Sequence, residues 1–212
     1  MSETQRISRA LLLTLTAALL SGCSGMSEQA CVTADWRTIG FEDGTRGQAV
    51  GRIGTYRQSC SKYGVAPDLD SYRAGHDEGV EIYCRASNGF ETGHSGATYQ
   101  GVCPSSMESD FLSAYNSGRQ LFELESALRQ IDSRIASNER GKQNIKQELV
   151  DIAATIAADG TSAEERVRLV AAAADLGSRH SQLEAENVVL REDRIVVALD
   201  LEDYRQQLAA NF

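Results

Sequence analysis

The chain is 212 residues long, 42% apolar, 24% charged and 6% aromatic, which suits one or two folded units rich in helix. A net charge of −9 without any Lys/Arg cluster excludes a nucleic-acid protein, which must present clustered cations to phosphates. No apolar run reaches the roughly 20 residues of a membrane-spanning helix, so a multi-pass transporter is excluded too.

Arg6 and Arg9 precede an 11-residue apolar block, Ala10 to Leu20, which runs into Leu20-Ser21-Gly22-Cys23. This is the layout of a secretory signal peptide over residues 1–22. Small residues ahead of a cysteine look like a bacterial lipobox, which predicts lipidation of Cys23 as the first mature residue. Several acyl chains at one residue hold a protein at a bilayer without any spanning helix. Ser24 stands where an inner-membrane retention signal carries Asp, so the expected location is the outer membrane of a Gram-negative envelope, facing the periplasm. Residues 1–22 include Glu3, Arg6 and Arg9, and their removal leaves 190 residues with a net charge of −10. Residues 23–30 read as a lipidated tether.

Cys31, Cys60, Cys84 and Cys103 form an even set after Cys23, which in an oxidising compartment reads as two disulfides. Their gaps of 29, 24 and 19 residues are too wide for a zinc site, so no metal and no cofactor is expected. Of three possible connectivities, Cys31–Cys60 with Cys84–Cys103 is favoured. The first would close a helical hairpin interrupted at Gly47 and Gly51, and the second would staple a Gly-rich loop or short hairpin.

Thirteen of the 17 mature glycines, both prolines and all four paired cysteines precede residue 105. Residues 31–105 therefore read as a disulfide-stapled Gly-rich head, and residues 106–212 as an antiparallel helical hairpin. Within the head, Trp36-Arg37-Thr38-Ile39-Gly40-Phe41-Glu42-Asp43-Gly44 echoes Tyr72-Arg73-Ala74-Gly75-His76-Asp77-Glu78-Gly79, with a partial third copy at Tyr115-Asn116-Ser117-Gly118. At helical spacing the aromatic and the glycine share a face, where a second backbone can approach closely. A phosphate cradle is the weaker reading, because neither a P-loop nor a dinucleotide-binding glycine pattern is present.

These stretches, with Asp35-Trp36, Pro67-Asp68, Tyr83-Cys84, Asn88-Gly89-Phe90, Tyr99-Gln100-Gly101-Val102-Cys103-Pro104 and Phe111 to Gly118, resemble a proteobacterial lipoprotein family classified only as domain of unknown function number 2799. The resemblance covers about residues 31–125. It implies an envelope lipoprotein and carries over no catalytic residue.

Leu121, Leu124, Leu128, Ile131, Ile135, Asn138, Lys142, Ile145, Leu149, Ile152 and Ile156 alternate spacings of three and four, a heptad seam. Leu169, Ala173, Leu176, His180, Leu183, Asn187, Leu190, Arg194, Val197, Leu201, Tyr204 and Leu208 form another. Gly160 stops the first helix, and Thr161 with Glu164 or Ser162 with Glu165 starts the second. Helices of about 109–157 and 162–210, near 70 Å at 1.5 Å per residue, are predicted. Partner positions should sum to 318, as in Leu149 with Leu169, which sets Asn138 opposite His180. Val188, Val189, Ile195, Val196 and Leu199 widen the apolar surface beyond one seam, so they are expected to dock on the head or on another protomer, the head being favoured.

Candidate chemistry is sparse. His76-Asp77-Glu78 are consecutive on a helix and point apart, His94 lacks a visible orienting partner, and His180 lies in a seam. Ser105 and Ser106 follow Pro104 without a nucleophile elbow and read as helix caps. The expected fold is mainly all-α, and no enzyme activity is expected. The expected role is a noncatalytic outer-membrane lipoprotein whose coiled-coil hairpin engages an envelope protein or the cell wall. The alternative is a glycan-type binding module using Tyr83, Phe90, His94 and Tyr99 of segment 83–103. A hydrolase centred on His76 or His94 is the least favoured reading.

Overall fold

The computed structural model describes residues 25–211. The segment 1–22 expected as a signal peptide and Cys23, the expected lipidation residue, lie outside the described residues. The described fold is all-α. Ser27 caps the short helix α1 (Glu28–Val32) by accepting from the Ala30 amide. Asp35 caps α2 (Trp36–Thr45) through the amides of Arg37 and Thr38, and Asp68 caps α4 (Leu69–Tyr83) through those of Asp70 and Ser71. Between them, Gly47 takes a left-handed φ of 67° and a 3-10 turn at Val50–Arg52 leads into α3 (Ile53–Ser61). The Gly-rich segment expected as a loop or short hairpin instead forms a helix, α5 (Ala86–His94). α6 (Ser105–Ala157) and α7 (Ala163–Asn211) are the long helices. No described helix is long and apolar enough to cross a membrane.

Two compact units result. The first holds the described residues up to Arg85 together with Tyr99–Glu108, and the second holds Ala86–Thr98 with residues from Ser109 onward. The division therefore does not fall at residue 105, because 86–98 group with the long helices. Cys31 pairs with Cys60 and Cys84 with Cys103, both inside the first unit. Around the first disulfide lies a core of Trp36, Ile53 and Tyr72, walled by Ile39, Tyr56, Tyr63 and Leu69.

In the first unit α2 and α4 cross through glycines. A methyl group on Gly40 or Gly44 would collide with the carbonyl oxygens of Tyr72 or His76, and one on Gly75 or Gly79 with those of Arg37 or Phe41. The second unit repeats the device: Gly89 and Gly93 of α5 lie on the carbonyls of Phe111 and Tyr115, and Gly118 of α6 lies on that of Phe90. Even the turn is repeated, since Gly47 sits under the Tyr83 ring and Gly96, with φ 76°, under the Phe122 ring.

In the hairpin, every seam position except Arg194 is buried or partly buried. Ser162 caps α7 at the Glu165 amide, the second of the two predicted starts. The seam's polar centre differs from the expected layer. Asn138 Nδ2 and His180 Nε2 are buried without a hydrogen-bond partner, and they do not bond each other. Instead, Lys142 is clamped by Glu139 and Glu184, and Glu139 also accepts from Asn187 at 2.8 Å and Arg191 at 3.0 Å. Cross-helix polar pairs from Arg134 with Glu186 to Glu139 with Arg191 have position numbers summing to 320–330, above 318. These sums centre on a register near 325, one heptad from the expected 318: the two seams match as evenly there, with Leu149 level with Leu176 and Asn138 level with Asn187, whereas a sum of 330 would stand about 18 Å out of level in the 318 register at 1.5 Å per residue.

Candidate functional site

The two glycine crossings come from one duplicated sequence. Gly40-Phe41-Glu42-Asp43-Gly44-Thr45-Arg46-Gly47 returns 49 residues later as Gly89-Phe90-Glu91-Thr92-Gly93-His94-Ser95-Gly96. The partner helix returns at a shift of 39, with Tyr72, Gly75, His76, Gly79 and Tyr83 matched by Phe111, Ala114, Tyr115, Gly118 and Phe122. Aromatic-to-glycine spacing alone matches Trp36 with Tyr72, which are partners within one pair. The Gly-Phe-Glu-x-Gly-x-x-Gly string was the available signal for the true duplication.

The scaffolds agree at three of the four crossing glycines, with Ala114 at the place of Gly75, and against that likeness the differences between the copies stand out. In the first, Asp43 is 2% exposed and accepts from the hydroxyls of Tyr56 at 2.9 Å and Tyr72 at 2.8 Å. The Arg52 guanidinium reaches the other Asp43 oxygen at 3.2 Å and donates to the Tyr56 hydroxyl. A buried carboxylate needs such pairing. Burial first, and then the hydrogen bond to Asp43, push the Tyr72 phenol well above its ordinary range, and burial likewise raises Tyr56. Tyr72 stacks on His76, which donates from Nε2 to the Gln48 carbonyl at 2.8 Å. In the second copy Thr92, Phe111 and Tyr115 hold the places of Asp43, Tyr72 and His76. The crossing therefore does not require the polar centre, and neither Asp43, Tyr56 nor Arg52 was singled out by sequence.

The residues of the expected ligand surface divide between the units. Tyr83 lies buried over Gly47, and the Tyr99 hydroxyl donates to Glu108 and accepts from the Cys103 amide, both in the first unit. Phe90 and His94 lie in the second, their rings 5.8 Å apart. His94 has an orienting partner that sequence did not reveal: its Nε2 lies 3.2 Å from Glu125, which also takes Arg205 at 2.8 Å. These hydrogen bonds outweigh burial and hold the Glu125 carboxyl below its ordinary value. No group of three or more His, Cys, Asp or Glu side chains that could hold a metal occurs among the described residues.

Among the described residues, α7 carries a cluster of exposed large apolar side chains. Val188, Val189, Ile195, Val196 and Leu199 remain between 49% and 65% exposed, which corrects the expectation that they dock on the head. Hydrophobicity identified the face as apolar but carried no information about what covers it. The side chains recur at i, i+7 and i+8, so they make a second stripe beside the hairpin seam. Glu192, Asp193, Asp200, Glu202 and Asp203 are exposed around it.

Residues 35–120 match the model of a family described as a protein of unknown function (DUF2799), a segment that takes in both glycine crossings. No curated protein and no solved structure matches the chain.

Proposed function

We propose that this chain, with its domain of uncharacterised family over residues 35–120, is a noncatalytic lipoprotein of the outer membrane. Acyl chains on Cys23 hold it facing the periplasm, and the helical hairpin acts as its interaction module. The observation that carries the reading is the second apolar stripe of α7, whose five large side chains lie exposed along one face. Contiguous exposed apolar surface on a helix favours association, and the carboxylates around this stripe select a helical partner with a basic rim.

The test is photo-crosslinking in cells from a probe at Ile195, with a second probe at Thr161 in the hairpin turn. A discrete envelope-protein or wall adduct from Ile195, lost when Val188, Val196 and Leu199 are changed to Ser, is the expected result. No adduct from either position overturns the reading. Cys23→Ser is expected to move the protein from the membrane fraction to the soluble one, and persistence in membranes after a high-salt wash would exclude lipid anchoring.

A further inference from the structure

A cavity of about 410 Å³ opens beside α4 in the first unit, bordered by Arg73, His76, Asp77, Val50, Gln100 and Val102. Arg73, His76 and Asp77 are spaced i, i+3 and i+4, which puts them on one helix face. His76 is only 4% exposed, and its two ring nitrogens have different circumstances. Nε2 bonds a carbonyl oxygen, which can only accept, so Nε2 carries the hydrogen. In the neutral ring Nδ1 is then a bare acceptor, and it is buried with no hydrogen-bond partner. The Asp77 carboxylate lies 3.8 Å from it, too far for a hydrogen bond, and it too is an acceptor. Two acceptors at that separation call for a donor with several N–H bonds, and an ammonium group supplies three. One turn away, Arg73 offers a guanidinium fork suited to a carboxylate.

The duplicated helix pair shows that this arrangement is not a packing requirement. There, Leu112, Tyr115 and Asn116 hold the three positions, and the Tyr115 hydroxyl donates to the Ala97 carbonyl as His76 does to Gln48. The first copy alone carries an orphan acceptor flanked by opposite charges.

We propose that this cavity binds a free amino acid or a short peptide by its charged ends, with the ammonium between His76 Nδ1 and Asp77 and the carboxylate on Arg73. Val50 and Val102 give the ligand side chain an apolar wall. The volume suits an amino acid or a dipeptide and falls at the small end of known ligand pockets. The site is separate from the α7 stripe, so its test is independent of the docking reading.

Isothermal titration of the full chain in detergent against the twenty L-amino acids, D-alanine and L-alanyl-L-alanine is the test. At least one member is expected to bind, and N-acetylation of that ligand should weaken it by about tenfold or more, because charge-assisted hydrogen bonds are the strong ones. Asp77→Asn and His76→Tyr should cause similar losses, the latter retaining the bond to Gln48 in the manner of Tyr115. Arg73→Gln should weaken the free acid yet leave its C-terminal amide unchanged. Binding by no member of the panel overturns the proposal, as does equal affinity for the N-acetylated ligand. Wild-type affinity in Asp77→Asn would also overturn it; that side chain is 84% exposed, so this variant keeps its fold even where His76→Tyr does not.

Discussion

His76 and Tyr115 occupy equivalent places in two copies of one helix pair, and each ring donates to the carbonyl of the residue that follows a left-handed glycine, Gln48 or Ala97. The bond closes the turn onto the partner helix in both copies. The chemistry of the ring is free to differ once that bond is made.

The first crossing admits no side chain at its four glycines. Gly75→Ala would push a methyl group into the Arg37 carbonyl, and the two backbones would have to separate along the whole contact. A loss of about 3 kcal/mol or more in urea denaturation is expected, the upper end of overpacking. Gly54→Ala in α3 meets nothing within 4 Å and should gain about 0.5–1 kcal/mol by restricting the unfolded chain. A cost below about 1 kcal/mol for Gly75→Ala would refute close backbone packing.

Alkaline pH should find the polar centre of the first copy. The folded state holds the Tyr72 and Tyr56 phenols neutral and raises both above the ordinary tyrosine value. Their contribution is therefore complete below about pH 10, the unfolded value, and is lost as pH rises past it toward the folded one. Tyr72→Phe should cost about 1 kcal/mol at neutral pH and flatten the alkaline fall of thermal stability. An alkaline limb as steep as that of the wild type would show that Tyr72 does not govern it.

The hairpin's polar layer should be a device of register at some cost in stability. Asn187 is fully buried with its Oδ1 unpartnered, and Lys142 lies in the seam between carboxylates that are themselves partly exposed. Replacing both by Leu is expected to raise hairpin stability by about 1–2 kcal/mol, since apolar replacement of buried polar groups is often favourable. The double variant should also lose selectivity in disulfide trapping between cysteines placed at 149 and 176, relative to pairs offset by seven. Lower stability in the double variant would show that the layer contributes more than register.

Much of this architecture was legible because it depends on local rules. Asp35 and Asp68 cap their helices, and the two leucine seams keep an unbroken three-four spacing, so α2, α4, α6 and α7 follow from spacing and capping. The glycine faces were legible as packing surfaces for the same reason. What escaped was relational. Glycine-rich composition at 86–94 suggested a loop, whereas its helix exists because Phe111, Tyr115 and α6 supply the contact that an isolated glycine helix lacks. The Asp43–Tyr56–Tyr72 network joins residues 13 and 29 apart, which no periodicity links. The register was displaced by one heptad because two unslipped seams match as evenly at a sum of 325 as at 318, and nothing local chooses between them.

A joint made of main chain alone has no rotamers to satisfy. Where Gly40, Gly44, Gly75 and Gly79 touch backbone, the crossing is specified by four absent side chains and is indifferent to the identity of the residues between them. The second copy uses a joint of the same kind, with Ala114 at the place of Gly75, while carrying Thr92, Phe111 and Tyr115 in place of Asp43, Tyr72 and His76. The duplicated pair thus behaves as an interchangeable mount, on which a chemically active face can be installed or removed without rebuilding what holds it.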